Sequence, residues 1–203
     1  MKYTAVIRTL GKAGEKYQSL LDSLCAQTLP PEEIIVYIAE EYPLPKETCG
    51  KEYYVYVKKG MIAQRALPYR EVKTEWMLLL DDDLYLPPHF VEEMKDAVES
   101  FNVDVASPDI YDNASRRLKG EILMTLSGRM RARRGSDKWA FKLMPTCGFS
   151  YNKHPVKKVY LSQTNAGACC LCRKQDFLKI KLGDELWLDR NNYPIGEDQM
   201  MFY

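Results

Sequence analysis

Asp81-Asp82-Asp83 stands directly after the apolar run Trp76-Met77-Leu78-Leu79-Leu80 in a 203-residue chain. Adjacent carboxylates repel one another at neutral pH, and seating them on an apolar strand is costly unless a cation compensates. Mg²⁺ and Mn²⁺ take hard oxygen ligands, usually one or two carboxylates with the rest from phosphate and water. The run therefore suits a divalent cation shared with a diphosphate. The competing reading is a solvated acidic turn that caps the following helix. Three other groups also follow apolar runs: Thr9 with Gly11, Glu40 with Glu41, and the basic segment Lys58 to Arg65. Trp187 and Trp139 offer flat faces that suit a sugar ring, though core or interface packing is the commoner use of such residues.

The elements that must position these groups are legible in the hydrophobic pattern. Tyr3 to Arg8 reads as a buried strand running into the Thr9-Leu10-Gly11 loop. Tyr17, Leu20, Leu21, Leu24 and Cys25 share one helical face. Glu33 to Ile38 is a second strand, Tyr53 to Val57 a third and Glu75 to Leu80 a fourth. Strand, helix and strand over this distance make a βαβ unit with a parallel pairing. Met61 to Leu67 reads as a short helical segment disturbed by Pro68. Pro87-Pro88 opens a helix with apolar positions Phe90, Val91, Met94, Ala97, Val98 and Phe101. Val103 to Ser107 is a fifth strand, and Ala166 to Arg173 another, followed by a helical turn over Asp176 to Ile180. The first half is thus an α/β layer structure, in which ligands bind beyond the carboxyl ends of the strands. All four polar groups fall at such ends.

Composition narrows the classes. The chain has 29 basic and 28 acidic residues and a net charge of +1, so there is no global case for nucleic acid. Its apolar runs are too short to span a bilayer, and the N-terminus lacks the apolar stretch of a signal peptide, so a cytoplasmic protein is expected. Cys169 and Cys172 have the spacing of half a zinc site, but no second pair matches them; buried thiols in a strand are the better reading. The arginine-rich stretch from Gly128 to Gly135 suits a solvated loop, a phosphate-bearing acceptor, or an anionic inner membrane face. The sequence reads as a single domain, 1–203, with a nucleotide-binding half over 1–107 and an acceptor-side half over 108–203. It stops at Gln199-Met200-Met201-Phe202-Tyr203 with no helix stop signal, as a piece of a longer protein would.

Several ordered motifs together resemble the GT-A fold glycosyltransferases of the family 2 type. They are Val6 to Gly11; Leu21-x-x-Leu24-x-x-Gln27-Thr28-x-x-Pro31-x-Glu33 to Val36; Gly60-x-x-Ala63-Gln64-Arg65; Leu79 to Asp83 with Pro88 and Phe90; Gly167-Ala168 with Arg173, Phe177 and Asp184-Glu185; and Gly196-Glu197-Asp198-Gln199. The resemblance implies a Rossmann-like, mixed and mostly parallel sheet flanked by helices. It also implies inverting transfer of a sugar from a nucleotide-diphosphate donor to a hydroxyl on a saccharide or lipid-linked acceptor, assisted by Mn²⁺ or Mg²⁺. By the same resemblance Thr9, Leu10 and Gly11 lie against the nucleotide base. Family members usually end the second strand with a base-reading aspartate; here Glu40 or Glu41 takes that place. Arg65 falls near the diphosphate. Asp81, Asp82 and Asp83 form the DxD region, with Asp83 on the metal and Asp81 on the ribose or a metal-bound water. Glu197-Asp198 matches the acidic pair near the acceptor, with Asp198 as general base, and Trp187 is the better placed of the two indoles for the acceptor.

Two other classes remain open from the residues alone. A nucleotidyltransferase would use the same aspartates, but usually with a glycine-rich basic loop that Thr9 to Gly14 imitates only weakly. A domain that binds nucleotide or saccharide without turnover would have no need to keep Asp81, Asp83 and Asp198.

Overall fold

The protein is described by a computed structural model that covers residues 1–108, 122–123, 126, 130–131, 141–144, 148–152, 159, 161–165 and 167–190. Compactness divides the chain into two units, residues 1–108 with 168–194 and residues 109–167 with 195–203.

The first unit is built on a six-stranded sheet. Its strands are β1 (Tyr3–Thr9), β2 (Glu33–Ala39), β3 (Glu52–Val57), β4 (Trp76–Asp81), β5 (Val105–Ala106) and β9 (Cys169–Arg173), in the order β3-β2-β1-β4-β9-β5. β1 pairs parallel with both β2 and β4, and β2 parallel with β3. β1 and β4 are buried along almost their whole length, which is why their residues run apolar without alternation. Helix α1 (Glu15–Cys25) buries Tyr17, Leu20, Leu21 and Leu24, and helix α2 (Phe90–Phe101) buries Val91, Met94 and Val98. These side chains join Ile7, Val36, Leu78 and Leu80 in one apolar cluster. Helix α2 ends on Asn102 in the left-handed region, at φ 47°, a common way of closing a helix.

Where the sequence pattern and the structure differ, tertiary pairing decides. The strand expected over Val103 to Ser107 shrinks to Val105–Ala106, because it pairs only with Cys172 and Leu171 of β9. β9 lies antiparallel between β4 and β5, so a strand from the C-terminal half of the chain completes the first unit's sheet. The segment Met61 to Leu67 forms turns rather than a regular helix. The helical turn expected over Asp176 to Ile180 starts earlier, as α3 (Lys174–Phe177), and a 3₁₀ segment over Leu182–Arg190 follows it.

In the second unit, β6 (Met130–Arg131), β7 (Phe141–Met144) and β8 (Gly148–Asn152) form a three-stranded sheet in the order β6-β8-β7. Among the described residues no helix is long and apolar enough to cross a membrane.

The central strands should carry the stability of the first unit. Leu78 is fully buried in the cluster, so Leu78→Ala should cost about 3 kcal/mol in denaturant unfolding. Leu44→Ala, at a position 47% exposed, should stay within about 0.5 kcal/mol of the parent.

Candidate active site

The parallel register aligns the ends of β1 and β4, placing Arg8 opposite Asp81. From β1 the chain continues to β2 and β3 on one side, while β4 lies on the other. This reversal of strand order leaves a crevice at the carboxyl ends, the usual ligand position of such sheets. The Thr9 loop and the aspartate run both emerge there.

The three aspartates have different surroundings. Arg8 is 5% exposed at its side chain, and its Nη2 lies 2.9 Å from Asp81 Oδ1. The Asp81 amide donates to Ala168 O at 2.9 Å, which ties the strand end to the turn before β9. Asp82 is half-buried and accepts a short hydrogen bond from the Thr9 hydroxyl. Burial pushes its carboxyl above the ordinary range and the neighbouring Asp83 adds to the rise, while the Thr9 hydroxyl opposes it. Asp83 is exposed, with Lys16 Nζ at 3.4 Å from its Oδ2. One carboxylate thus faces solvent, one is held by a buried guanidinium, and one is held by a hydroxyl.

The supporting contacts come from residues whose roles the sequence does not announce. Thr9 Oγ1 also accepts from the Gly11 amide at 2.7 Å, closing the loop after β1. Gly11 has φ 68°, and a Cβ there would sit 2.8 Å from Pro43 O, so only glycine fits. Gln64 Nε2 donates to Thr9 O at 3.2 Å and joins the 60–66 segment to the same loop. On the other side, Gln27 is buried after α1. Its amide donates to Pro87 O at 2.8 Å, and its Oε1 accepts from the Val91 amide at 3.1 Å. That bracket fixes the chain that follows Asp83.

Glu40 and Glu41 are exposed just past β2; the Glu40 amide bonds to Val57 O at 2.9 Å and Glu41 lies 3.7 Å from Lys59. Between them and the Thr9 loop, Tyr42 has Lys12 and Lys59 over its ring at 4.5 and 5.0 Å. Lys59 holds the Tyr42 phenol below its ordinary value. Arg65 is half-buried and its Nη1 donates to Met61 O at 3.1 Å. Leu10 lies half-buried in the loop between Thr9 and Gly11. Trp187 is 54% exposed on the 3₁₀ segment, with its indole N–H on Glu185 Oε2 at 2.7 Å. Glu197, Asp198, Trp139 and most of the stretch from Gly128 to Gly135 lie outside the described residues.

The thiols of Cys169, Cys170 and Cys172 are buried in β9 as expected of a strand. Burial raises the Cys169 thiol well above its ordinary value; for Cys172 the hydrogen bond with Cys170 leads and burial adds to it. Among the described residues, no three His, Cys, Asp or Glu side chains converge to hold a metal unaided. The cavity of about 690 Å³ on the first unit lies at the opposite, amino ends of the strands, beside Met1, Glu32, Thr74 and Trp76. Among its lining residues Lys2 pairs with Glu32 at 3.4 Å and Arg173 with Glu75 at 3.1 Å. At the carboxyl ends of the same strands, by contrast, the Thr9 loop and the aspartate run meet.

A mostly parallel sheet with a carboxyl-end crevice bearing an aspartate run defines a Rossmann-like domain of the GT-A type. The profile of Glycosyl transferase family 2 matches residues 14–160, and the chain belongs to that family. The fold is similar to that of S. aureus TarS, residues 1–349, with TM-score 0.52 and 13% identity, over 100% of this chain and 55% of that one. TarS 1–349 in complex with UDP gives TM-score 0.51 and 14% identity, over 100% and 54%. The chain thus spans about half the length of these solved structures. A 4-diphosphocytidyl-2C-methyl-D-erythritol synthase from Anaerococcus prevotii covers 99% of this chain and 82% of its own at 13% identity, but its TM-score of 0.47 is too low to argue from. No curated protein matches the sequence.

Two predictions follow from the aspartate environments. Arg8→Met leaves Asp81 half-buried without its guanidinium and should cost roughly 2 kcal/mol, a figure reduced because Asp81 keeps some water; Lys16→Met should cost under about 0.5 kcal/mol, both read from urea unfolding. For Asp82, the folded carboxyl lies above its ordinary value of 3.8, so the folded protein holds the proton more tightly than the unfolded chain. Its contribution to stability is full below that value and is lost as pH rises through the raised one. The stability of Asp82→Asn relative to the parent should therefore increase as pH rises from the ordinary carboxyl value of 3.8 through the raised one. A difference that is flat or falling over that interval would contradict the assignment.

Proposed function

We propose that this chain is the donor-binding and catalytic domain of an inverting glycosyltransferase. It would move a sugar from a nucleotide-diphosphate donor to a hydroxyl on a saccharide or lipid-linked acceptor. The observation that carries this reading is the meeting of the Thr9 loop and Asp81 to Asp83 at the strand-order reversal, in a chain of family 2. The UDP held by TarS, whose fold this chain shares, supports a nucleotide in that crevice.

The nucleoside would lie along Thr9, Leu10 and Gly11, with Glu40 or Glu41 and Tyr42 at the base end. The diphosphate would lie towards Arg65 and the aspartates. A divalent cation fits the donor set here. Asp83 offers an exposed hard carboxylate, while Asp81 Oδ1 is already on Arg8, which leaves the remaining ligands to phosphate and water. Mn²⁺ or Mg²⁺ held by Asp83, with Asp81 behind it, would supply charge neutralisation for the leaving diphosphate. Asp198 takes the proton of the attacking hydroxyl. The hydroxyl oxygen then bonds to the anomeric carbon from the face opposite the diphosphate, and the departing C–O electron pair leaves with the nucleoside diphosphate. Glu197 stands beside the base in sequence, and the exposed face of Trp187 is the candidate surface for an acceptor ring.

Calorimetry with UDP and GDP in Mn²⁺ tests the donor end. The parent should bind one of them in a chelator-sensitive manner, and Asp83→Ala should weaken that binding by about tenfold or more and remove the chelator effect. Binding that ignores both chelator and substitution rules the metal assignment out. At the other end, Asp198→Asn should keep donor affinity and lose roughly 10² to 10⁴ in sugar transfer. Equal turnover in the two proteins would remove Asp198 from the mechanism.

A further inference from the structure

Asp189 lies at the end of the 3₁₀ segment, 127 positions in sequence from Ile62, yet its carboxylate closes on the 60–66 segment. Oδ1 accepts from the Ile62 amide at 2.8 Å and Oδ2 from the Ala63 amide at 2.9 Å. Both oxygens of one half-buried carboxylate thus engage two successive backbone N–H groups. Charge-assisted bonds of this kind are stronger than neutral ones and fix direction as well as distance. The approach is close enough to dictate the neighbouring residue. A Cβ on Gly60 would sit 2.3 Å from Asp189 Oδ2, so the carboxylate and any larger residue at position 60 cannot share the space.

The clamped turn is the one that reaches the crevice. The Gln64 amide N bonds to Gly60 O at 3.0 Å and the Arg65 amide N to Ile62 O at 2.9 Å, so fixing residues 62 and 63 fixes both that follow. Gln64 then holds Thr9 O, and the Thr9 hydroxyl holds Asp82. Buried Tyr69 closes the segment from the far side through its hydroxyl on Arg65 O at 3.0 Å. A continuous hydrogen-bonded path therefore runs from Asp189 through the turn to the aspartate run.

We propose that Asp189 is a positioning residue for the nucleotide diphosphate: it holds the 60–66 turn in the conformation that presents Gln64 to the Thr9 loop and Arg65 to the donor. This rests on the donor-binding reading above. It goes beyond that reading because both Asp189 oxygens are engaged by backbone amides, so its action on the nucleotide runs through the turn. It also gives the 3₁₀ segment that ends at Asp189 and Arg190 a task.

Two readouts separate this role from simple stabilisation. The first is amide hydrogen exchange without ligand. Asp189→Ala should speed exchange over 60–66 by about tenfold, in line with the loss of two charge-assisted bonds, while β1 and β4 keep their protection. The second is calorimetric binding of UDP and GDP with Mn²⁺. Whichever the parent binds should bind Asp189→Ala about tenfold more weakly, with Asp189→Asn between the two, and exposed Asp184→Ala should match the parent. Gly60→Ala, which expels the carboxylate sterically, should reproduce the loss in a protein whose Asp189 is intact, and combining it with Asp189→Ala should add little. Faster exchange with unchanged nucleotide affinity overturns the proposal. Tighter nucleotide binding in Asp189→Ala also overturns it, by showing that the carboxylate occupies a place the anion needs. If the parent binds neither nucleotide, the donor reading itself falls and takes this role with it, and the exchange data then still report whether the clamp exists.

Discussion

The pairing of β1 with β4 is the constraint on which the rest of the site depends. Their parallel register sets Arg8 against Asp81, and the 2.9 Å contact between them lies where the apolar strands give way to polar loops. A guanidinium that is 5% exposed cannot shed its charge, so it requires an anion nearby. Asp81 meets that need at the end of a very apolar strand. A slip of one residue along either strand would separate the pair and carry Leu78 and Leu80 out of the apolar cluster to the other face of the sheet. The packing of Leu78 and Leu80 and the charge pair therefore enforce the same register.

From this anchor the polar contacts spread along the carboxyl ends of the sheet. Thr9 is the junction. Its hydroxyl meets Asp82 and the Gly11 amide, and its carbonyl meets Gln64. Gln27 does for the chain after Asp83 what Gln64 does for the chain after β3, by bonding backbone groups that no strand or helix satisfies. Sheet strands define where the crevice is; side-chain amides define the shape of its rim. Gln27 and Gln64 are also among the residues that carry the resemblance to family 2, and their geometry gives a physical reason for polar residues at those places.

Much of the fold was legible because its signals are local. β1, β2 and β4 announce themselves as unbroken apolar runs, α1 and α2 by helical spacing, and the aspartates by their place after β4. What escaped depends on distant partners. The apolar run of β9 marks it as a strand, but nothing in it says that it runs antiparallel between β4 and β5. Arg8 reads as the last residue of a strand until its register with Asp81 is known. The only local hint was a permanent charge at the end of an otherwise buried run. Asp189 is one of several acids in a segment without helical amphipathicity, and its partners are backbone amides, which carry no sequence signal at all. The same holds in reverse for Glu197 and Asp198, which are recognised only by their motif and lie outside the described residues.

The run of three aspartates is therefore not one acidic unit. Each carboxylate meets a different neighbour, and the differences are large enough to divide the labour. Asp81 is committed to Arg8, and Asp82, raised by burial, is committed to Thr9. Both act mainly on the shape and charge of the strand ends. Asp83 has, among the described residues, an exposed lysine near it at 3.4 Å, an interaction weak enough to be exchanged for a cation. Repulsion among neighbouring carboxylates would be a cost with nothing to offset it if all three stood open to water. Here two of them are discharged into the protein's own donors, and the third keeps its oxygens available. The proposed diphosphate end of the site is thus prepared by what the protein does to Asp81 and Asp82 as much as by what Asp83 would bind.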